Sequence, residues 1–333
     1  MYLDNKIKYS TETLIQLPEQ KEFYNDVING LSKKVKQLPS KYFYDKQGDR
    51  LFQQIMHCND YYLTRCELEI FVNKTAEIAI PMLNAGTSFD LIELGAGDGT
   101  KTYHLLKYLM EQTTWFRYLP VDISPNILSV LKNKLNTTLP KLEVSDYQGD
   151  YFEALEELSS QSSRKKVVMI LGANVCNMEV DETYKFCKRL HQFMQPGDLV
   201  LMGFDLKKNP QTILNAYNDR DGITREFNLN LLKRINRELQ ADFDLGQFEH
   251  FQTYDPLSGA CRSFLISLSE QQVTIGNYTV SFESNEPITV EISQKYALPG
   301  IEKLALETGF RIVKHTYDSK SWFTDSVWEV CYE

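Results

Sequence analysis

The chain has 333 residues, of which 42% are hydrophobic and 24% are charged, and its formal net charge is −9. This length and composition are ordinary for a globular protein with one large domain or two smaller ones. Because binding to the phosphates of duplex nucleic acid needs concentrated lysine and arginine, the acidic balance and the lack of a long basic run argue against such a partner.

Cysteine, histidine and hydropathy patterns exclude further classes. The six cysteines and five histidines are scattered, without a C-x-x-C pair or ligand-like spacing, so we expect neither a disulfide framework nor a metal site. The N-terminal stretch MYLDNKIKYSTETLIQLPEQ has no apolar run that suits a signal peptide. No run approaches the roughly 18 apolar residues of a membrane helix. We therefore expect a reduced, cytoplasmic protein without a membrane partner.

Short β-rich runs alternate with amphipathic stretches from about residue 88. The runs are typical of buried parallel strands that end in polar residues or glycine: FDLIELGAG, FRYLPVDIS, LEVSDYQGD, KKVVMILGAN and GDLVLMGFD. Helical stretches such as TKTYHLLKYLMEQ and SPNILSVLKNKL lie between them. This alternation predicts a parallel sheet with crossover helices, in which ligands bind at the carboxyl ends of the strands.

The pattern changes after Asp205. The segment LKKNPQTILNAYNDRDGITREFNLNLLKRINRELQADFD is mostly helical, and CRSFLISLSEQQVTIGNYTVSFESNEPITVEIS is interpreted as three antiparallel strands. The chain closes with a helix and two strands in GIEKLALETGFRIVKHTYDSK and DSVWEVCYE, the last strand antiparallel. We predict a sheet domain over 67–207 and 296–333, and a second domain over 1–66 and 208–295.

The stretch LIELGAGDGTK combines a strand, a turn with Gly95, Gly97 and Gly99, and the start of a helix. Glycines allow a close approach between backbone and ligand, and a helix N-terminus offers free N–H groups. A dinucleotide fingerprint begins in the same way. The G-x-G-x-G spacing and Glu93 just before the turn favour S-adenosylmethionine instead.

Acids end the next two predicted strands. Asp122 in LPVDIS is placed to accept hydrogen bonds from ribose hydroxyls, and Asp150 in QGDY lies where an adenine amino group would be. The alternative is that both acids only cap loops and helices, since Asp is frequent in such turns. The glycine loop together with acids after two strands favours the cofactor site.

The segment LPSKYFYDKQGDRLFQQIMHCNDYYLTRCELEI resembles the leading segment of the histidine-specific, S-adenosylmethionine-dependent methyltransferases, the ergothioneine-pathway enzymes that convert L-histidine to its Nα-trimethyl betaine. The stretches LIELGAGDGTK, LGANVCN, AYND, FNLNLLKRINRELQADFDLGQFEH and VEISQKY follow in that family's order. The resemblance spans residue 37 to the end, and NRELQADFDLGQFEH is its most specific part. It implies an α/β fold, a Rossmann-like class I methyltransferase sheet with a second α+β substrate domain.

The resemblance also implies roles for single residues. The expected contacts to S-adenosylmethionine are Gly95, Gly97, Lys101, Asp122, Asp150 and Tyr151. The expected contacts to the amino acid are Tyr61, Asn177, Tyr217, Glu291 and Ser293. Asn177, Tyr217 and Tyr44 are the expected catalytic residues.

Methyl transfer from a sulfonium is an in-line displacement on carbon, so positioning of the amine supplies most of the rate. Asn177 offers two N–H donors and one acceptor to an amino acid, and Tyr217 offers a phenol to its carboxylate. The faces of Tyr44 and Tyr61 would attract the quaternary ammonium that forms. Alternatively, Asn177 only turns the chain after a strand, and one of Tyr61 and Tyr62 serves packing. No catalytic base is evident.

Glu291 and Ser293 in ITVEISQKY are two apart on a predicted strand and therefore point to the same face. A carboxylate can accept from one imidazole N–H, and a hydroxyl can pair with the other ring nitrogen. The resemblance implies that this pair holds the imidazole ring. The alternative is an exposed strand face, which is the usual environment of Glu on a strand. Gln294 and Lys295 are expected at the surface.

Ser263 in CRSFLISL stands where the family tends to carry a methionine, and a smaller residue enlarges the pocket or admits water. The predicted function is Nα-methylation of L-histidine, to the trimethyl betaine, by a monomer. The alternatives are methylation of another amino acid or small amine, a non-catalytic sensor of histidine or cofactor, a dinucleotide oxidoreductase, and a protein or nucleic-acid methyltransferase.

Overall fold

The computed structural model describes residues 18–86, 88–112 and 115–331. The chain divides into two compact units. The first comprises Met1–Tyr61, Pro210–Asp255 and Ala260–Ile292, and the second comprises Tyr62–Asn209, Pro256–Gly259 and Ser293–Glu333. The N-terminal stretch discussed above lies, up to residue 17, outside the described residues, as do Tyr332 and Glu333 of the last predicted strand.

Helices and strands account for most of the described chain. The helices are α1 (Pro18–Leu31), α2 (Lys46–His57), α3 (Leu63–Asn73), α4 (Thr75–Ala85), α5 (Thr102–Glu111), α6 (Pro125–Thr138), α7 (Tyr151–Gln161), α8 (Val180–Gln192), α9 (Pro210–Ala216), α10 (Ile223–Leu239) and α11 (Leu298–Glu307). The strands are β1 (Ser88–Leu94), β2 (Trp115–Asp122), β3 (Glu143–Val144), β4 (Tyr147–Gln148), β5 (Lys165–Ile170), β6 (Leu199–Asp205), β7 (Phe248–Tyr254), β8 (Ala260–Ser267), β9 (Gln271–Ile275), β10 (Tyr278–Phe282), β11 (Pro287–Gln294), β12 (Phe310–Tyr317) and β13 (Phe323–Val330).

The second unit is built on a sheet with the strand order β12–β13–β6–β5–β1–β2–β3, in which β4 also pairs with β2. Strand β1 pairs in parallel with β2 and β5, and β5 pairs in parallel with β6. Strand β13 is antiparallel to both β6 and β12. The predicted parallel sheet with an antiparallel closing strand is confirmed, and with it the α/β, Rossmann-like fold class.

The prediction of one strand for LEVSDYQGD is wrong, because this segment forms two short strands, β3 and β4. Strand β3 pairs with β2 at Arg117 and Tyr118, and β4 pairs with β2 at Val121 and Asp122. Residues 141–150 are exposed or half-buried throughout. The segment has no buried apolar run, so a continuous edge strand would bury little apolar area and add little stability. The strand is therefore interrupted between the two pairings with β2.

Local sequence signals explain the helices that flank the sheet. Helix α6 begins after Ser124, whose side chain accepts a hydrogen bond from the Ile127 backbone, and Pro125 occupies its first turn. Its buried residues Leu128, Leu131 and Leu135 recur at helical spacing. The apolar face of the helix thus packs inward while its polar residues face solvent.

The first unit combines helices α1, α2, α9 and α10 with a sheet of order β11–β8–β7 and a β9–β10 hairpin. The segment expected to hold three strands holds four, β8 to β11, because the chain reverses at Gly276 between β9 and β10. Gly276 has φ +59, which a tight hairpin turn favours in glycine. Strand β7 lies in a stretch for which no strand was predicted.

The core of the first unit is a cluster of buried apolar and aromatic side chains. It gathers residues of α1, α2, α10 and the strands around them: Phe23, Val27, Leu31, Leu38, Tyr42, Phe43, Leu51, Ile55, Phe227, Leu229, Leu231, Leu232, Ile235, Leu239, Phe243, Phe248, Leu265, Val273, Ile275, Val280, Phe282, Ile288 and Val290. Helix α10 contributes to it along its whole length, so it is the central element of this unit. Within the described ranges no helix combines the length and apolar character needed to cross a membrane.

Candidate active site

The glycine loop follows β1 directly and is held against the end of β2. The backbone N–H groups of Gly95 and Ala96 both donate to the Val121 carbonyl, over 2.8 and 3.2 Å. Gly95, Gly97 and Gly99 all have positive φ, at +75, +56 and +62. Such backbone angles disfavour residues with a Cβ, which explains the repeated glycines.

The space available for a side chain differs between Gly95 and Gly97. A Cβ added at Gly95 would lie 2.6 Å from the Tyr151 hydroxyl and 2.8 Å from the Asn174 amide nitrogen. A Cβ added at Gly97 would meet no atom within 4 Å. The loop is therefore packed on its Gly95 side and open at Gly97, where its backbone can approach a ligand closely.

Asp122 ends β2 beside the glycine loop. Its Oδ2 accepts from the Gly97 backbone over 3.2 Å, and its Oδ1 accepts from the Ser124 backbone over 2.9 Å. A carboxylate can accept about four hydrogen bonds, so acceptor capacity for hydroxyl groups remains. The carboxylate also fixes the loop, which is the structural role that the capping alternative gave to Asp122.

Asp150 and Tyr151 stand at the start of α7. Asp150 is exposed, and its carboxylate caps the helix by accepting from the Phe152 backbone over 2.8 Å. The capping alternative thus applies to Asp150. Burial raises the pKa of the Tyr151 phenol, and the nearby Asp122 and Asp150 carboxylates raise it further. Tyr151 is consequently a neutral hydrogen-bonding group at the edge of the loop.

Lys101 is the residue before α5, and its ammonium forms an ion pair with the Glu67 carboxylate. Glu67 is 1% exposed, and its two oxygens also accept from the Gly172 backbone over 2.7 and 3.0 Å. One buried carboxylate therefore connects α3, the start of α5 and the end of β5. Lys101 was expected from the resemblance, whereas Glu67 was missed.

Glu93, just before the glycine turn, is buried rather than directed to a ligand. It is 2% exposed and accepts from the hydroxyls of Tyr118 and, over 2.7 Å, of Thr102. Burial raises its pKa to about 7, although these two hydroxyl groups lower it. Glu93 thus connects β1 to β2 through Tyr118 and to the start of α5 through Thr102.

A 3₁₀ turn, Asn174–Asn177, follows β5 at the carboxyl edge of the sheet. Gly172 and Ala173 precede it with φ of +71 and +57, which turn the chain sharply off the strand. Asn177 ends the turn and is exposed. Asn177 thus has the turn position that the alternative gave it, and its role toward an amino acid stays a prediction.

An aromatic row runs through the first unit. The Tyr44 ring meets Phe52 edge-on at 5.6 Å between centroids, Phe52 meets Tyr61 at 6.3 Å, and Tyr61 meets Tyr217 at 6.2 Å. Tyr44 is 43% exposed and Tyr217 only 5%. Three tyrosines named from the resemblance, far apart in sequence, thus lie in one row with Phe52.

Tyr62, the neighbour of Tyr61, belongs to the second unit and has a packing role. It is 3% exposed, its hydroxyl donates to Asp205 over 2.7 Å, and the Lys208 ammonium lies 4.2 Å from its ring centroid. The expectation that one member of the pair serves packing is therefore met by Tyr62.

Glu291 lies on β11 in the first unit and is half-buried. Its Oε2 accepts from the Ser263 hydroxyl on β8 over 3.2 Å. Ser263 is 1% exposed, so this hydroxyl is a buried donor directed at the carboxylate. Ser263, which the resemblance singled out, thus has a definite partner.

Ser293, two residues further, begins the last segment of the second unit and is 2% exposed. The prediction that Gln294 and Lys295 lie at the surface is wrong, since they are 3% and 0% exposed. The Lys295 ammonium donates to the Ser293 hydroxyl over 2.7 Å and pairs with Asp205 over 2.8 Å. A buried carboxylate compensates the charge of Lys295, and this partner is remote in sequence.

Sequence reasoning missed Glu67, Asp205, Lys208 and Lys295 as parts of this region. Asp205 was read only as the end of β6, and the other three carry no local motif. Their partners lie far away in the chain, so no spacing rule reveals them. A buried position for an acid at the end of a parallel strand is the one signal that could have marked Asp205.

Comparison with known proteins shows similarity over most of the chain. Residues 23–330 match the family described as histidine-specific methyltransferase, SAM-dependent. The chain is 33% identical over 302 residues to histidine N-alpha-methyltransferase of Mycobacterium tuberculosis, with 90% of each chain covered. The corresponding protein of Mycolicibacterium smegmatis is 32% identical, again with 90% of each chain covered. Ergothioneine biosynthesis protein 1 of Schizosaccharomyces pombe is 26% identical over 83% of this chain and 37% of its own length.

Among solved structures, an S-adenosylmethionine-dependent methyltransferase from Clostridium acetobutylicum has a TM-score of 0.43 at 12% identity, covering 80% of this chain and 92% of its own. At this TM-score the structural similarity supports no assignment beyond the family match. The open approach at Gly97 and the acceptor capacity of Asp122 suit the cofactor that the family uses. The chain therefore belongs to the S-adenosylmethionine-dependent, histidine-specific methyltransferase family.

Proposed function

We propose that the protein methylates the α-amino group of L-histidine and carries the reaction to the trimethyl betaine. The observation that carries the choice of substrate is the pair Glu291 and Ser293. Neither residue lies on an exposed strand face, because Ser293 is 2% exposed and Glu291 is half-buried with a bond from Ser263. A carboxylate and a hydroxyl suit a ring with two nitrogens.

The second unit is the proposed cofactor-binding part. Gly95, Gly97, Lys101 and Asp122 would hold S-adenosylmethionine, together with the Asp150–Tyr151 pair. When bound, this cofactor supplies a methyl group on a positively charged sulfur. The loop contributes backbone N–H groups and a carboxylate that its own hydrogen bonds already fix, so little reorganisation accompanies binding.

The first unit supplies the proposed aromatic contacts to the amino acid. Each methylation replaces one N–H hydrogen by a methyl group, and the proton is released to water. The third methylation leaves a permanent positive charge without N–H donors. The faces of Tyr44 and Tyr61 stabilise that charge by about 0.5–2 kcal/mol each without needing a proton. The Tyr217 phenol is assigned to the substrate carboxylate and the Asn177 amide to its amine.

A direct test is mass spectrometry of L-histidine incubated with purified protein and S-adenosylmethionine that carries a deuterated methyl group. L-tryptophan and L-tyrosine are incubated alongside. We expect one, two and three labelled methyl groups on histidine alone. Labelling of another amino acid would retain the methyltransferase assignment and contradict the substrate, and no labelling of any of the three would contradict the proposed function.

A pair of matched variants tests whether Tyr217 contacts the substrate. Tyr217→Phe removes the phenol proposed to hold the substrate carboxylate, and we expect kcat/KM for histidine to fall about 10- to 100-fold. Tyr278→Phe removes the hydroxyl of an exposed tyrosine on β10 and serves as the control. Equal kinetics of the two variants would remove Tyr217 from the pocket.

We further propose that the free amino acid is the substrate of a cytoplasmic monomer. The acidic net charge of −9 disfavours nucleic acid as the methyl acceptor. Light scattering of the purified protein tests the oligomeric state, and a mass of twice the chain would contradict it.

A further inference from the structure

A row of three ionisable side chains crosses the sheet of the second unit. The Lys101 ammonium pairs with Glu67 and lies 3.4 Å from the position that a Cβ on Gly172, just after β5, would take. Glu67 Oε1 lies 2.5 Å from the position that a Cβ on Gly203 of β6 would take. Asp325 on β13 is the direct partner of Gly203 in the antiparallel pairing. The row therefore runs from β5 over β6 to β13.

The pairing places the Asp325 side chain beside Glu67. Directly paired residues of antiparallel strands point to the same face of a sheet, with Cβ atoms about 4.5–5.5 Å apart. Asp325 thus leaves β13 next to the space above Gly203, which Glu67 Oε1 occupies. Because Gly203 has no side chain, the two carboxyl groups can approach each other there.

Asp325 differs from Glu67 in its hydrogen bonds. It is fully buried, and neither of its carboxyl oxygens has a hydrogen-bond partner among the described residues. Within the same ranges, the buried hydroxyl of Thr316, its pairing partner on β12, has none either. Glu67 instead accepts from Lys101 and from the Gly172 backbone. Since an ionised carboxylate in the interior needs such donors, Glu67 is the carboxylate and Asp325 the neutral acid.

The charges around Asp325 agree with this assignment. Burial raises its pKa well above the usual value, and the Glu67 carboxylate raises it further, although Lys101 lowers it. His315 precedes Thr316 in β12 and therefore points to the opposite face. The other charged groups on elements beside β13 have partners of their own: Asp205 with Lys208 and Lys295, Asp318 with Cys66 and the Phe323 backbone, Glu69 with Ser319, and Glu77 with Lys314.

We propose that Asp325 is a positioning residue of the cofactor site, which shares one proton with Glu67 and so leaves Lys101 a single carboxylate as its counter-ion. This inference rests on the proposed function, in which Lys101 contacts S-adenosylmethionine. With one proton on the carboxyl pair, the three groups carry no net charge. Without it they carry one negative charge, which repels the carboxylate of the cofactor. The shared proton thus keeps the charge of Lys101 available to the cofactor.

Infrared difference spectroscopy at neutral pH detects the proton, because a carboxylic acid has a C=O stretching band that a carboxylate lacks. Subtracting the spectrum of Asp325→Asn from that of the wild type should show this acid band. In a Glu67→Gln background the same subtraction should show a carboxylate, because Asp325 then becomes the counter-ion of Lys101 and ionises. A carboxylate at Asp325 in the wild type, or an acid band that persists in Glu67→Gln, would overturn the sharing.

Calorimetric titration with S-adenosylhomocysteine, which has no methyl group to transfer, tests the effect on the cofactor. Glu67→Gln should weaken its binding about 10-fold, because the ionised Asp325 draws Lys101 toward β13. Adding Asp325→Asn removes that competing charge and should recover most of the loss. In the wild-type background Asp325→Asn replaces a neutral acid by a neutral amide, so no such gain is expected. Equal gains in both backgrounds, or a gain in neither, would overturn the role of Asp325.

Glu69→Gln is the matched control on α3. Its carboxylate bonds to Ser319, and its loss should change the affinity less than about twofold. If Glu67→Gln does not fold, the infrared comparison of the wild type with Asp325→Asn still decides whether Asp325 is protonated, and an ionised Asp325 overturns the inference.

The wild-type titration separates the two claims. A wild-type protein that does not bind S-adenosylhomocysteine overturns the cofactor part of the proposed function, and this inference with it. A wild-type protein that binds it, combined with an ionised Asp325 or with equal effects in both backgrounds, overturns only the role of Asp325. None of these measurements uses histidine, so they are independent of the methyl acceptor.

Discussion

The two units differ in the charged side chains that they bury. The cluster at the core of the first unit consists of apolar and aromatic residues. Among the described residues of the second unit, many acids and lysines are buried: Glu67, Asp90, Glu93, Lys166, Asp198, Asp205, Lys295, Asp318 and Asp325. In the first unit the buried carboxylate within the described ranges is Asp219, at 6% exposure.

This difference follows from architecture. A parallel sheet covered on both faces satisfies its backbone internally, and the carboxyl ends of its strands can hold charges that bind a ligand. The described residues of the first unit form no such sheet, and its stability comes from burial of apolar area, about 25 cal/mol per Å². Buried charge therefore distinguishes the second unit from the first, although the second unit also buries apolar residues of its strands such as Phe89, Leu91 and Val167.

The largest effect is expected from Asp205. Asp205→Asn leaves the buried Lys295 and Lys208 ammonium groups without their carboxylate, which should destabilise the second unit by about 3–5 kcal/mol. Urea unfolding measures the change. Asp181→Asn in the exposed first turn of α8 is the matched control and should change stability by about 1 kcal/mol or less. Equal effects of the two variants would show that buried charge does not distinguish this unit.

A pH-dependent effect is expected at Glu93. Its pKa is raised by burial to about 7 in the folded chain, so the folded state binds the proton more tightly than the unfolded state does. The stability that Glu93 contributes is complete below its unfolded pKa of about 4.3 and is lost as the pH rises through 7. Relative to Glu93→Gln, the wild type should lose up to about 3 kcal/mol between pH 4.5 and 7.5. A pH-independent difference in urea unfolding would contradict this.

The first unit should show the opposite sign at His250 on β7. Burial lowers the pKa of this histidine to about 4, although the Asp219 carboxylate raises it, and Arg225 lowers it by a smaller amount. Its contribution to stability is therefore present above its unfolded pKa of about 6.5 and is lost as the pH falls through 4. Relative to His250→Gln, the wild type should lose up to about 3 kcal/mol on acidification. Urea unfolding of both proteins between pH 4 and 8 measures the change. A wild type that gains stability relative to His250→Gln as the pH falls, or shows no change, would contradict the prediction.

The smallest expected effect is the difference between two substitutions in the glycine loop. Gly97→Ala meets no atom within 4 Å, so without cofactor only the strain of its positive φ acts, about 1–2 kcal/mol. Gly95→Ala adds contacts with the Tyr151 hydroxyl and the Asn174 amide and should cost about 1–3 kcal/mol more. Thermal unfolding of the two variants without ligand compares them. Equal losses would mean that the Gly95 side of the loop is not tightly packed.

Predictability from sequence also differed between the units. The alternation of buried strands and amphipathic helices predicted the sheet of the second unit, because each parallel strand carries its own apolar run. The edge segment LEVSDYQGD carried no such run and was misread as one strand. In the first unit the interpretation missed the reversal at Gly276 and strand β7, although both pairings join consecutive strands. Strand β7 buries only Phe248 and His250, so it carries no apolar run that would have marked it.

The site residues divide in a similar way. Gly95, Gly97 and Asp122 lie within or beside local motifs, and the structure brings them together at the end of β1 and β2. Their contact with S-adenosylmethionine, like the role of Glu291 and Ser293 toward histidine, stays a prediction. Lys295 was misassigned because a lysine after a strand is usually solvated.

The sequence by itself determined the α/β class, the glycine loop and the family, because these depend on short-range patterns and on motif order. Only the tertiary structure decided which polar side chains are buried. Lys295 is buried because Asp205 and Ser293 meet it, and Glu67 is buried because Lys101 and the Gly172 backbone satisfy it. A charge is stable in the interior only when its partners surround it, and those partners come from distant parts of the chain.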